Sequence, residues 1–187
     1  MASLGHIAVA MAAGRLHTRA GPPAPRRLLG AMLAFSALSL LPDADVIAFW
    51  LEIPYHAPWG HRGASHSLAA AVALGLLATP LLLRLSGPSP ETDAGPALTR
   101  RYLITAAQCV AVALSHSLLD ALTDGGLGVA LYWPLSDERV FAPWRPIPVA
   151  PIGLGLLSGR GLYVMLTELF YFAPVFAYAL WPRPTPK

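Results

Sequence analysis

The chain alternates between long apolar runs and short polar breaks. Leu28 to Ile53, His66 to Leu85 and Tyr102 to Leu122 approach or reach the roughly 20 apolar residues that a membrane-spanning helix needs, and Gly161 to Trp181 is a fourth such run. Pro42-Asp43-Ala44-Asp45 interrupts the first run. Proline supplies no amide donor, so that helix is expected to end or kink near Leu41. A broken helix with carboxylates at its break is tolerated in a membrane where it lines a cavity. A shorter apolar stretch, Ala2 to Ala13, comes before and is expected to dip into or cross the membrane. Connections are marked by proline, glycine and charge: Arg15 to Arg27 with Pro22, Pro23 and Pro25, Ser86 to Arg101 with Pro88, Pro90 and Pro96, and the long Thr123 to Arg160. The pattern predicts an all-α fold in which residues 1–187 form one integral-membrane bundle of four to five helices around a buried polar site.

Composition agrees with a bilayer environment. Only 12% of residues are charged and 55% are hydrophobic, against about 25% charged in a soluble domain. The net charge of +3 does not point to nucleic acid, because the Lys and Arg residues are scattered among loops and form no stripe with interleaved aromatics. Cys109 is the single cysteine, so no disulfide framework exists and its expected role is packing. The N-terminal stretch has no basic leader and is broken by His6, which argues against a cleaved signal peptide. Arg26-Arg27 follows a Pro-rich loop and reads as a cytoplasmic anchor rather than a twin-arginine signal.

The distribution of basic residues predicts orientation. One set of loops carries Arg15, Arg19, Arg26, Arg27, Arg84, Arg100, Arg101, Arg183 and Lys187, whereas the other carries only Arg62, Arg139, Arg145 and Arg160. Cytoplasmic loops are the richer in Lys and Arg. The expectation is therefore a multi-pass plasma (inner) membrane protein with a cytoplasmic C-terminus. At about 1.5 Å per residue, Asp43, Asp45, His61, His66, Asp120, Asp124 and Glu168 then fall in the outer half of the membrane, with His6 joining them if the first segment crosses.

Ionisable side chains at such depth are costly unless paired, liganded or in a wet cavity, so each is a candidate for chemistry. His116 and Asp120 share a helix face at i, i+4, which suits either two ligands of one ion, a ligand with its orienting carboxylate, or a polar helix–helix contact. His61 and His66 bracket a short turn, with Ser65 expected to cap the following helix and His66 to point into the cavity. Arg62 between them suits either an oxyanion clamp or an interfacial snorkelling role. Asp43 and Asp45 add hard oxygen donors, and mixed His and carboxylate sets suit Zn²⁺, with Mn or Fe as alternatives. The metal candidates are His6, Asp43, Asp45, His61, His66, His116 and Asp120, for one or two divalent ions. Glu168 is a candidate general base or a salt-bridge partner of Arg139, Arg145 or Arg160. Asp124 either approaches the site or belongs to an ordinary Asp-Gly-Gly turn. His17 and His56 read as loop or interface residues.

These residues, taken in order, resemble the YdjM-like family, a group described as LexA-binding, inner-membrane-associated metal-dependent hydrolases. The resemblance rests on His6, Leu41-Pro42-Asp43-Ala44-Asp45, His61-Arg62-Gly63 through His66-Ser67-Leu68, and His116 to Asp120 followed by Thr123-Asp124-Gly125. It extends to Trp133-Pro134-Leu135-Ser136, Pro143 to Pro148 and Glu168. Ala64 departs from it where a small hydroxyl residue is expected. The resemblance implies a metal-dependent hydrolase. A more distant similarity to zinc-dependent phospholipase C and its nuclease relatives, through the order of His and Asp ligands, is analogy only.

The expected function is therefore hydrolysis of a lipid or other phosphoester by a metal-activated water, with Arg62, Glu168 and Asp124 as catalytic candidates and membrane lipids as partners. The rival is a non-catalytic metal-binding membrane protein or a divalent-cation carrier. No feature of the sequence identifies a protein partner.

Overall fold

Helices follow the apolar runs, and the main break follows proline. The computed structural model describes residues 3–19, 24–85 and 95–182. Helix α1 (Ser3–His17) is followed by α2 (Pro25–Leu40), a 3₁₀ segment at Leu41–Val46 and the one-turn helix α3 (Ile47–Trp50). A second 3₁₀ turn, Ala64–His66, leads into α4 (Leu68–Leu85), and α5 (Gly95–Ala121) follows. The last elements are a 3₁₀ turn at Gly153–Leu157 and α6 (Gly159–Leu180). Among the described residues there is no strand, only isolated bridges at Thr123–Ile147 and Val129–Val140. Pro22, Pro23, Pro88 and Pro90 of the expected linkers, and Arg183 and Lys187 of the orientation argument, lie outside the described residues.

Pro25–Trp50, α4, α5 and α6 are each long and apolar enough to cross a membrane. With 15 residues, α1 is about 22 Å long, short of the ~30 Å hydrocarbon core. It does not need lipid contact, because α2, α5 and α6 pack around it. Gly5, His6, Ala8, Ala10 and Gly14 are buried along its length. The side chains there are small enough to let three neighbours approach at once.

Close approach, rather than a hydrophobic driving force, holds helices together in lipid, and small residues permit it. Gly75 of α4 sits so near α5 that a Cβ would lie 2.6 Å from the Val110 backbone. Below the polar site the interior is apolar: Ala10, Phe35, Leu38, Leu82, Cys109 and Val112 form one cluster drawn from α1, α2, α4 and α5. The leucines of α4 and α6 that face outward, such as Leu77, Leu81, Leu166 and Leu169, are exposed, as lipid-facing positions should be.

The two ends of the bundle differ in charge. At one end Arg15 donates to the carbonyls of Ala179 (3.2 Å) and Trp181 (2.6 Å), closing the C-terminus of α6. Such carbonyls have no partner within their own helix. Arg101 reaches Leu83 O at 3.4 Å at the same kind of junction between α4 and α5. His6 lies about 13 Å back along α1 from Arg15, among the polar residues of the opposite end.

Two helix starts differ from the sequence expectation: α5 begins at Gly95, inside the Ser86 to Arg101 stretch expected as a connection, and α4 is capped by a different serine. Ser67, not Ser65, caps α4 by accepting from Ala70 N at 3.0 Å. The 3₁₀ turn at Ala64–His66 delays the helix until Leu68, and this frees Ser65 to donate to Asp45 Oδ2 at 2.6 Å.

Gly75→Leu should force α4 and α5 apart and cost about 1–3 kcal/mol as overpacking does, whereas Leu77→Ala on the lipid face should be near neutral. Thermal unfolding of the detergent-solubilised variants measures both, and equal melting temperatures for the two would refute this packing role.

Candidate metal centre

The polar end is assembled from five pieces of chain. His6 comes from the N-terminal turn region of α1, Asp43 and Asp45 from the Leu41–Val46 break, His61 and Arg62 from the following loop, His66 from its 3₁₀ turn, and His116 and Asp120 from α5. All but Asp45 are buried. The 3₁₀ break after α2 is what turns Asp43 inward: Pro42 closes the α-helical ladder, and the tighter winding places both Pro42 and Asp43 on the buried side.

Asp43, His66, His116 and Asp120 form one group whose candidate ligand atoms all lie within 4.8 Å of one another. His66 Nε2 is 2.9 Å from His116 Nε2, 3.4 Å from Asp43 Oδ1 and 3.5 Å from Asp120 Oδ2. His116 Nε2 is 3.6 Å from Asp43 Oδ1. Donors held at 2.0–2.1 Å around a tetrahedral zinc are separated by about 3.3–3.4 Å. The four distances scatter around that value, so the donor set fits such an ion. Neither oxygen of buried Asp43 receives a hydrogen bond, as expected of groups whose partner is a cation.

A second group, Asp43, Asp45 and His61, meets the same distance criterion and shares Asp43 with the first. Asp45 also acts outward. Its Oδ1 is 2.6 Å from His61 Nδ1, and its Oδ2 accepts from Arg62 N (3.0 Å) and Ser65 Oγ (2.6 Å) and lies 3.0 Å from His66 Nδ1. A carboxylate behind one ring nitrogen of a histidine fixes the ring so that the other faces the ion. Asp45 stands in that relation to His66.

Electrostatics make the same demand. Asp43, Asp45 and Asp120 meet close together, with the Arg62 guanidinium 3.0 Å from Asp120, and buried charge without compensation is strongly destabilising. Burial disfavours the His66 imidazolium, but Asp120, Asp43 and Asp45 outweigh it and push its pKa up to about 10. These carboxylates call for positive charge, as a proton or as a metal ion.

Arg62 is built into the protein rather than snorkelling. Its side chain is 1% exposed, with Nε 3.0 Å from Asp120 Oδ2 and Nη1 donating to Thr123 Oγ1 and Gly125 O, both at 3.0 Å. Its φ of 61° lies in the left-handed region, a cost of order 1–3 kcal/mol that a non-glycine residue bears only where its surroundings enforce it. Nη2, on the same guanidinium edge as Nε, is buried without an acceptor.

The remaining candidates are placed differently. His6 stacks on His116 with centroids 4.0 Å apart and reaches Asp120 Oδ1 at 3.3 Å, beside the four-residue group rather than within it. Asp124 is exposed and accepts from Val149 N at 2.7 Å, so it closes a loop instead of approaching the cluster. Glu168 is buried, yet none of the three arginines expected as partners meets it. Its Oε2 accepts from Leu4 N (2.6 Å) and Gly5 N (3.1 Å) at the start of α1. Arg145 and Arg160 instead lie over the rings of Phe141 and Tyr163. His17 faces Gln108 Oε1 at 2.8 Å, away from the site.

Sequence reasoning offers Arg139 only as a candidate partner of Glu168, not as a support of the site loop. Its guanidinium donates to the carbonyls of His61 (2.8 Å), Tyr55 (2.7 Å) and Ala57 (3.0 Å) and so holds the loop that delivers His61 and Arg62. The only signal was its scarcity, as one of few cations on this side of the bundle.

A family model described as the YdjM inner membrane protein matches residues 1–183. The chain belongs to the YdjM inner membrane protein family. Inner membrane protein YbcI of Escherichia coli (strain K12) is 40% identical over 149 residues, covering 79% of this chain and 77% of that protein. No solved structure matches. This YdjM-family chain is thus an inner-membrane protein with several apolar helices, and its buried His and Asp residues form a group able to hold a metal ion.

If that group holds an ion, zinc at 100 times its Kd should stabilise the folded protein by about 2.7 kcal/mol. The His116→Ala and Asp43→Ala variants should lose this response in thermal unfolding, together with the ion in elemental analysis after dialysis. An unchanged zinc response in both variants would remove these residues from the site.

Proposed function

We propose that the protein is a membrane-embedded, metal-dependent hydrolase of phosphoesters, with a lipid or lipid-linked phosphoester as substrate. The observation that carries this reading is the sharing of Asp43 between a four-residue and a three-residue ligand group. A site with four protein ligands is closed, whereas catalytic sites keep a coordination position open. Asp43, His66, His116 and Asp120 would hold an inner ion with no position to spare. Asp43, Asp45 and His61 would hold an outer one with room for water, on the side where Asp45 is only partly buried.

Zinc in such a setting supplies a water of near-neutral pKa and polarises a phosphoryl oxygen, and a pair of ions can clamp both the attacking and leaving oxygens. The chain supplies the rest. Arg62 has a buried donor, Nη2, with no acceptor of its own, and its pairing with Asp120 through Nε holds this cation beside the ligand groups, suited to an anionic phosphoryl group. Asp45 holds the rings of His61 and His66 in place. Asp124 and Oε2 of Glu168 are engaged with backbone amides and take no part in this reading.

Depth supports the lipid substrate. Trp50, Trp59 and Trp144 are exposed in the segments around the polar end, and tryptophan collects at the level of lipid headgroups. Combined with the excess of arginine at the other end, this favours a site towards the outer face and a cytoplasmic C-terminus.

The full burial of the four-residue group also suits a second reading, a non-catalytic protein stabilised by an ion. A carrier is less well supported, since α1, α2, α4 and α5 up to His116 contain no Asp or Glu along which a cation could pass to the other face.

Purified protein loaded with Zn²⁺ or Mn²⁺ in liposomes should bind two ions per chain and cleave at least one member of a phospholipid and phosphoester panel. His61→Ala should retain one ion and lose activity by at least 10²-fold, while Trp144→Ala should keep both ions. Two bound ions with no turnover across the panel would leave the non-catalytic reading standing and refute the hydrolase. Metal-driven uptake into sealed vesicles would instead support the carrier.

A further inference from the structure

We infer that Glu168 is a positioning residue for the ion site, acting through the N-terminus of α1 and the ring of His6. It rests on the ion-binding part of the proposal above and not on hydrolysis.

The argument begins with orphan donors. The first amides of a helix have no partner within it, and in a membrane interior water does not replace that partner. α1 begins at Ser3 within the bundle, and its donors at Leu4 and Gly5 are met by a side chain from another helix, Oε2 of Glu168 in α6. A carboxylate at this position also complements the positive end of the helix dipole. Glu168 is itself 1% exposed; its Oε2 and the two amides satisfy one another, while Oε1 is buried without a hydrogen-bond partner.

The contact has a defined seat. One helical turn beyond Glu168, Phe172 lies so close to Gly5 that a Cβ there would be 2.6 Å from its ring. Two neighbouring side chains of α6 therefore fix the height and the approach of residues 4 and 5. His6 is the next residue. Its ring stacks on the His116 ring at 4.0 Å with 20° between planes, and its Nε2 is 3.3 Å from Asp120 Oδ1. Both neighbours belong to the four-residue ligand group. His6 thus backs one histidine donor and one carboxylate donor together, and its own place is set by where α1 starts. Sliding α1 by one residue would move His6 by about 1.5 Å and rotate it by about 100°, out of both contacts. Arg15 ties the far end of α1 to α6 through Ala179 and Trp181, so α6 holds this helix at both ends.

The prediction is a coupling between two residues that do not share a hydrogen bond. Partners that orient metal ligands typically change affinity by about 10–100-fold. Glu168→Ala and His6→Ala should each weaken Co²⁺ binding within that range, and the double variant should be no weaker than His6→Ala alone, because the cap acts through His6. The visible d–d spectrum of bound Co²⁺ should change in the same way in both single variants, while Glu168→Gln, which keeps an acceptor for the two amides, should retain the wild-type spectrum. A purely structural cap would leave the spectrum unaltered and give additive losses. Either result overturns the inference while leaving the ion site intact. If Glu168→Ala does not fold, the comparison of Glu168→Gln with Glu168→Leu decides it: indistinguishable Co²⁺ affinities and spectra overturn the coupling. Wild-type protein that takes up no Co²⁺ overturns the ion site and this inference together.

Discussion

Asp120 has no access to solvent, and the polar end of the bundle is organised around its negative charge. Arg62 Nε approaches it at 3.0 Å, His6 at 3.3 Å and His66 at 3.5 Å, from three separate parts of the chain. Removing a carboxylate from water costs several kcal/mol even after relaxation, so α5 can carry Asp120 at this depth only while those partners converge. Each partner then acquires its own dependence: Arg62 on Thr123 and the Gly125 carbonyl, His66 on Asp45 and Ser65, His6 on the seating of α1. The electrostatic requirement of one side chain extends in this way through α1, the break after α2, the 51–67 loop and the loop after α5.

The apolar part of the bundle has the complementary task of holding those pieces at fixed distances mainly by close packing. Small residues along α1 and at Gly75 bring backbones together, and the cluster around Phe35, Leu82 and Cys109 fills the interior beneath the site. No Asp or Glu is among the described residues of that cluster. The division between a charged, precisely connected end and a greasy, closely packed end is what makes the site one-sided.

Much of this was legible in the residues. Apolar length gave the spans, and proline's missing donor gave the break before Asp43. The cost of burying ionisable groups pointed to the residues that the fold gathers in one cluster, since His116 and Asp120 share a helix face whatever the packing. What the sequence left hidden depends on tertiary contact. Arg139 works through three backbone carbonyls, which carry no signature in the sequence around them. Glu168 was visible as an expensive carboxylate, yet its partners are amides of a helix more than a hundred residues earlier. Ser65 and Ser67 are equally good caps by type, and only the 3₁₀ turn that aims His66 inward decides between them. The depth of α1 was obscured for a different reason: a short apolar segment looks alike whether lipid or protein surrounds it.

That enclosure bears on how the protein is made. α1 is too short to span and is held by α6, which leaves the ribosome after every other helix described. When α1 enters the membrane it has neither the Glu168 carboxylate for its first amides nor the packing surface that later covers it. It gains those partners only once α6 has been made and has packed against it. His6 is therefore the first residue of the polar cluster to be synthesised, and the packing of α6, the last helix described, becomes the event that seats it.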